Sequence, residues 1–272
     1  MSSSQLFRRI FLILFASVFF FASSAALAQG ADAVLRGFVP SGDFIFEYDN
    51  EELFDAEIYF SQSAVAYLIM TNKVDLPLMV SPRSQAVESV NLMKVVKKDD
   101  GTIDILADAM LSRIASFSLS GQEVVWAMDG KQCKLKPRPD LLGRHTAERM
   151  ATYDPSYGFA ASKYTPNPSA LERLKKVSKD VKVVAYFGSW CPTCKRMIPN
   201  LIRVTQELDG SSPIKFEYYG LPKPMSDDPI SEKLNLPGVP TIVVLVNGEE
   251  AGRLNANDLV SPETSLSRLL GV

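Results

Sequence analysis

The stretch that decides the reading is Val183-Val184-Ala185-Tyr186-Phe187-Gly188-Ser189-Trp190-Cys191-Pro192-Thr193-Cys194-Lys195. Its first five residues continue an apolar run that begins at Val181, as expected of a strand buried on both faces. Gly188-Ser189 breaks the run. Pro192 suits the first turn of a helix, where its missing N–H is no loss, and a helix over 192–208 is expected from there, with Pro199 inside it. Cys191 therefore stands between the end of a strand and the start of a helix. Unpaired backbone N–H groups and the helix dipole favour an anion at that place, and helix N-termini lower a cysteine's pKa from its free value of ~8.5. Two intervening residues set Cys194 beneath Cys191, with the sulfurs close enough to bond. The chemistry this points to is thiol-disulfide exchange. Cys191 is the expected nucleophile and Cys194 the expected resolving thiol, which breaks the mixed disulfide made by Cys191. Pro192 and Thr193 support the turn, and Trp190 shields its rim.

Outward from this segment, helix and strand alternate. A capping box at Ser169-Ala170-Leu171-Glu172 predicts a helix start. Strands are expected over 181–187, 214–219 and 240–246, and a tight turn at Asn247-Gly248 returns the chain through 250–254. Ser261-Pro262-Glu263 opens a last helix. This pattern predicts an α/β domain over 166–272, a central mixed sheet flanked by helices.

These residues resemble the thioredoxin superfamily, and within it the secreted thiol-disulfide oxidoreductases. The likeness is carried by the segment 183–194, by Pro199 eight residues after Cys191, and by Gly238-Val239-Pro240-Thr241, which is similar to the family's cis-proline loop. Asn247-Gly248-Glu249 and Gly252-Arg253 match its closing hairpin. The resemblance covers about 165–272. It implies that Pro240 is cis and faces the disulfide, and that the Val239 backbone pairs with a bound substrate strand, so Trp190, Val239 and Pro240 form the implied substrate-binding set. Two features depart from the family. Ala185 stands where cytoplasmic-type thioredoxins bury an acid, which leaves proton transfer to water or to another carboxylate such as Glu217. Residues 220–225 lengthen the connection after the second strand; they either border the active site or form an inert surface loop, and the inert reading is the one favoured.

The first half reads differently. Residues 29–139 carry short runs of aromatic and β-branched residues separated by turn signals such as Asp99-Asp100-Gly101, Ser120-Gly121 and Asp129-Gly130. This predicts a mainly-β domain, a meander closing into a small sandwich or barrel, with 107–113 open to either helix or strand. Residues 137–168 read as a connector punctuated by Pro137, Pro139, Pro155, Pro166 and Pro168, with the linker proper over 140–165 and a short helix over 141–150 that carries His145 in a surface or capping role.

Composition narrows the function classes. The 272 residues are 46% hydrophobic and 22% charged, a globular balance. With 29 basic and 31 acidic residues, the net charge of −2 leaves no electrostatic footprint for nucleic acid. One histidine excludes a multi-histidine metal site, and Cys133, His145, Cys191 and Cys194 follow no familiar zinc spacing, so no metal or other cofactor is expected. Cys133 is either a buried free thiol or a transient disulfide partner of Cys191.

Residues 1–28 read as a secretory signal peptide. Arg8 and Arg9 precede an apolar run over 10–21, and Ala26-Leu27-Ala28 supplies the small residues of a cleavage site after Ala28. The rival is an uncleaved membrane anchor over 10–28, close to the ~20 residues that span a bilayer. Either way, the expected location is extracytoplasmic, periplasmic or secreted, where disulfides persist.

The expected function is an extracytoplasmic thiol-disulfide oxidoreductase, a reductase more than an oxidase. It would act on protein or small-molecule disulfide and dithiol clients and be served by an upstream redox partner protein. The alternative is a client-binding adaptor in which the β domain binds partners and the Cys-x-x-Cys acts as a redox switch.

Overall fold

The computed structural model describes residues 33–272; the signal-peptide reading of 1–28 lies outside them. Among the described residues, thirteen strands lie in the first half: β1 (Ala33–Pro40), β2 (Phe44–Tyr48), β3 (Glu51–Leu53), β4 (Glu57–Ser61), β5 (Ala66–Met70), β6 (Leu78–Ser81), β7 (Ala86–Val90), β8 (Val95–Lys97), β9 (Ile103–Leu106), β10 (Leu111–Ser116), β11 (Ser118–Ser120), β12 (Glu123–Met128) and β13 (Lys131–Pro137). They form two antiparallel sheets, ordered β10-β7-β6-β5-β4-β1-β9-β8 and β11-β12-β13-β2-β3. Side-chain alternation puts Ile58, Ile69, Val80 and Val87 of the larger sheet against Phe46, Leu53, Trp126 and Leu135 of the smaller one. The larger sheet also encloses a second core of Phe38, Tyr59, Leu68, Met79, Ile103 and Ile105. The mainly-β expectation thus holds as two packed sheets. The β12–β13 turn uses Asp129 (φ 52°) and Gly130 (φ 75°), the positive-φ pair that a two-residue hairpin favours. The stretch 107–113, open to either helix or strand in sequence, forms no helix: its last three residues begin β10, in which Leu111 pairs with Val90 and Ser116 with Ala86 at the sheet edge.

The second half contains β14 (Gly143–His145), α1 (Ala147–Tyr153), α2 (Pro155–Lys163), α3 (Pro168–Lys175), β15 (Val181–Phe187), α4 (Pro192–Leu208), β16 (Lys215–Gly220), α5 (Pro229–Lys233), β17 (Thr241–Val246), β18 (Glu249–Leu254) and α6 (Pro262–Leu270). Its sheet is mixed, ordered β14-β16-β15-β17-β18, with β15 and β16 parallel and the other pairs antiparallel. Val181, Val183, Ala185 and Phe187 point to the face covered by α1–α4 and α6, where Met150, Tyr157, Leu174, Ile198, Leu201 and Leu266 complete the core. Val184 and Tyr186 point to the other face, against Leu221, Leu236 and Val243.

Residues 140–165 are no linker. β14 adds an edge strand to the central sheet, pairing Gly143 with Gly220 and His145 with Tyr218. The two helices that follow bury Met150, Tyr157 and Ala161 completely. Pro155 and Pro168, two of the prolines that suggest a connector, open helices instead. Pro155 sits at the start of α2 behind the N-cap Asp154, whose carboxylate accepts the Ser156 N–H at 2.9 Å. His145 lies on β14, not on a helix, with Nε2 2.9 Å from the Leu142 carbonyl oxygen. The expected capping box at 169–172 gives way for the same reason. Pro168 takes the first helical position, so the cap falls on Asn167, which accepts the Ala170 N–H at 3.1 Å.

The two halves meet beside the start of α4. Lys195 Nζ lies 2.6 Å from Asp43 Oδ1. Gly42 lies against the Asp154 carboxylate so closely that a Cβ there would sit 2.0 Å from its Oδ1. Further along α2, Lys163 Nζ donates to the Asp100 carbonyl at 2.8 Å.

Candidate active site

Strand β15 delivers the chain to Gly188-Ser189-Trp190, and the Cys191 N–H closes that turn on the Gly188 carbonyl at 3.0 Å. Cys191 is the N-cap of α4, Pro192 fills the first helical position, and Cys194 lies in the first turn. The Cys191 sulfur accepts the Cys194 backbone N–H at 3.4 Å, one of the donors that a helix start leaves without an intrahelical partner. The same sulfur lies 3.7 Å from the Val239 carbonyl, which accepts its S–H. Val239–Pro240 is a cis peptide bond, as the resemblance implied, and the Thr241 hydroxyl braces the loop by donating to the Gly238 carbonyl at 2.7 Å.

Exposure divides the two cysteines. Cys191 keeps 7% of its surface at the rim, whereas Cys194 has 0%. Burial pushes the Cys194 thiol well above the ordinary range; a backbone hydrogen bond at Gly188 opposes this and the Cys191 sulfur adds to it. The arrangement therefore holds one sulfur where a client can reach it and a second where only the first can. Cys133 belongs elsewhere. It has no exposed surface and faces the core between the two β sheets, cross-strand from Trp126. Burial, with Asp129 and Asp49 nearby, pushes its thiol up to about 11. In this fold it is a buried free thiol, and a disulfide with Cys191 would require the sandwich to open.

Trp190 is fixed on two sides. Its Nε1 donates to the Leu221 carbonyl at 3.0 Å, and its indole lies so close to Gly188 that a Cβ there would come within 2.5 Å of Cε2. The Lys223 ammonium stands 5.7 Å from the indole centroid. The loop over 220–225, favoured above as inert, thus borders the site. Its sequence showed extra length, but not that a carbonyl in it would hold the tryptophan.

Glu217 is not the missing acid. It pairs in register with Val184, whose side chain faces the sheet surface away from α4, and its carboxylate is engaged by Lys182 at 3.0 Å and Arg144 at 3.5 Å. Ala185 shares the core with both cysteines and offers no proton acceptor. Pro199 lies buried within a helix that continues through it to Leu208. The residues that sequence reasoning missed here are Asp154 and Tyr157. Their signal was Asp154-Pro155, an N-cap and first-turn pair that announces a helix whose third residue is Tyr157.

Residues 168–266 match the thioredoxin family model. The C-terminal domain is a thioredoxin-superfamily domain. Human glutaredoxin-3 is 30% identical over 84 residues, which cover 31% of this chain and 23% of that protein. The match thus spans about a quarter of the curated relative's length. Among solved structures, oxidised mitochondrial thioredoxin 3 of Saccharomyces cerevisiae is 21% identical, covering 41% of this chain and 97% of that one with a TM-score of 0.26. Thioredoxin f2 of Chlamydomonas reinhardtii is 17% identical, covering 38% and 92% with a TM-score of 0.27. The thioredoxin-like domain places Cys191 and Cys194 at the head of its first long helix after β15.

Proposed function

We propose that this chain is an extracytoplasmic thiol-disulfide oxidoreductase that reduces disulfides through Cys191 and Cys194. The observation that carries the proposal is the placement of the Cys191 sulfur. It stands at the N-cap of α4, 3.4 Å from a helix N–H and 3.7 Å from the Val239 carbonyl beside cis Pro240, with Cys194 buried behind it.

In the proposed cycle the Cys191 thiolate attacks one sulfur of a client disulfide. The client S–S bond breaks, and its other sulfur leaves with the electron pair and takes up a proton. Cys194 then loses its proton and attacks Cys191. The Cys191–client bond breaks, the client leaves as a dithiol, and the enzyme keeps the Cys191–Cys194 disulfide. An extended client strand would lie along the Val239 backbone, with Trp190 at the rim. An upstream dithiol protein would restore the reduced pair.

The reducing direction is supported by the likeness to thioredoxin, whose potential is about −270 mV. The extracytoplasmic location is supported by the signal-peptide pattern of residues 1–28.

The test is exchange with a fluorescent disulfide-linked peptide. Cys191→Ser is expected to abolish turnover, and Cys194→Ser to accumulate a covalent peptide adduct on Cys191. Retained turnover in the Cys191 variant would overturn the assignment.

A further inference from the structure

The resolving step asks a sulfur with no exposed surface to ionise. A buried thiolate without hydrogen-bond donors is strongly disfavoured. Two backbone groups favour the charged form, at Gly188 and at Cys194 itself, yet burial outweighs them. The carboxylates add nothing on this side: position 185 is alanine, and Glu217 faces the opposite side of the sheet.

Two buried hydroxyls on the thiol side, those of Tyr157 and Tyr153, have no partner. The Tyr157 side chain is 0% exposed, and its hydroxyl makes no hydrogen bond. Buried hydroxyls are ordinarily paired, so an orphan in the same core as two thiols calls for an explanation. Helix geometry brings it there. Asp154 and Tyr157 are the N-cap and third residue of α2, as Cys191 and Cys194 are of α4. The two helices pack together in one core, and Lys195 Nζ lies 4.0 Å from Asp154 Oδ2, which links their first turns. Burial, Asp154, and then the Cys194 and Cys191 sulfurs all raise the affinity of the Tyr157 phenol for its proton. It therefore remains a neutral O–H and acts as a donor, not as a base.

We propose that the Tyr157 hydroxyl is a positioning residue for resolution, donating a hydrogen bond to the Cys194 sulfur, directly or across one water, as that sulfur becomes a thiolate. The inference rests on the oxidoreductase reading above. In the step, Cys194 gives its proton to solvent and its thiolate bonds to Cys191 Sγ. The Cys191–client bond breaks, and the client sulfur leaves with the electron pair and is protonated by solvent. Tyr157 keeps its own proton throughout. The titratable groups that act on it are Asp154, Cys194, Cys191 and Tyr153; beyond them, Lys195 lies beside Asp154 and Asp43, Arg138 lies over the Tyr153 ring, and Tyr218 of β16 shares the core. Tyr218 is already paired with the Thr205 hydroxyl at 2.7 Å. The Tyr153 hydroxyl is a second buried orphan, but no sulfur contributes to its shift.

The experiment uses the reduced full chain and an aromatic nitrothiobenzoate disulfide. Its first coloured thiolate reports attack by Cys191, and its second reports resolution by Cys194. Tyr157→Phe is expected to leave the first phase intact and to slow the second about tenfold, with the pH midpoint of that phase moved up by about one unit. The melting temperature should hold or rise, because the substitution removes an unpaired buried polar atom. Tyr153→Phe, which removes the other orphan hydroxyl, should resolve at the wild-type rate. A second phase unchanged in rate and pH profile in Tyr157→Phe would overturn this inference alone, as would equal slowing in Tyr153→Phe. A wild-type protein that releases no first thiolate would overturn the oxidoreductase reading as well.

Discussion

Lys195 follows the buried Cys194 in the chain, and its ammonium reaches across to the β domain, 2.6 Å from the Asp43 carboxylate. The first turn of the thiol helix is thereby tied to the loop between β1 and β2. Both partners are partly exposed, so the pair itself contributes at most about 1 kcal/mol. Its significance is positional, because the same loop packs Gly42 onto the Asp154 carboxylate beside Lys195.

That packing leaves no room at position 42. Gly42→Ala would bring a methyl group to within 2.0 Å of a buried carboxylate oxygen. The domains must separate locally or Asp154 must abandon its cap on α2, at a cost of about 1–3 kcal/mol. Urea denaturation of the variant should show that loss, and hydrogen exchange should rise at the start of α2. Asp43→Asn, by contrast, should lie within about 1 kcal/mol of wild type.

Gly188→Ala addresses the rim. A Cβ there lies 2.5 Å from the Trp190 indole, so the ring must swing out and release the Leu221 carbonyl it holds at 3.0 Å. The expected results are a loss of about 1–3 kcal/mol, red-shifted tryptophan fluorescence, and a raised KM for peptide disulfides.

Cys133 predicts a pH dependence. Its thiol rises from an ordinary 9.0 to about 11 in the fold, chiefly through burial. The folded state then binds this proton more tightly than the unfolded state. The stabilisation is full below about pH 9 and is lost as pH climbs through about 11, a change of at most about 3 kcal/mol. Cys133→Ala should be less stable at neutral pH because of its cavity, yet show a flatter fall between pH 9 and pH 11. Equal slopes for the two proteins in urea titrations would remove the linkage.

The sequence carried the site well where chemistry and helix signals coincide. Cys191-Pro192 marks an N-cap and first turn, and the helix runs over the expected residues, Pro192–Leu208. The cis-proline loop was implied by Gly238-Val239-Pro240-Thr241 and is present. Two of the failures share one cause, the reading of proline as a break. Pro155 and Pro168 both open helices, so residues 140–165 were assigned to a linker and the cap at Asn167 was displaced to Ser169. The three-residue strand β14 has no periodicity to detect; its place is set by pairing with β16. In the β half the turns were legible, but the assignment of strands to two sheets depends on contacts far apart in sequence, such as Cys133 with Tyr48.

The central claim is that Cys191 and Cys194 cycle between dithiol and disulfide in a reducing protein. Equilibration of the full chain in buffers of defined redox potential, with the thiol state read by alkylation and mass, tests it most directly. The account predicts one two-electron couple confined to Cys191 and Cys194, lost in either serine variant, with a midpoint near about −270 mV. A midpoint near about −120 mV would contradict the reducing direction, and a pair that never forms a disulfide across the range would contradict the function itself.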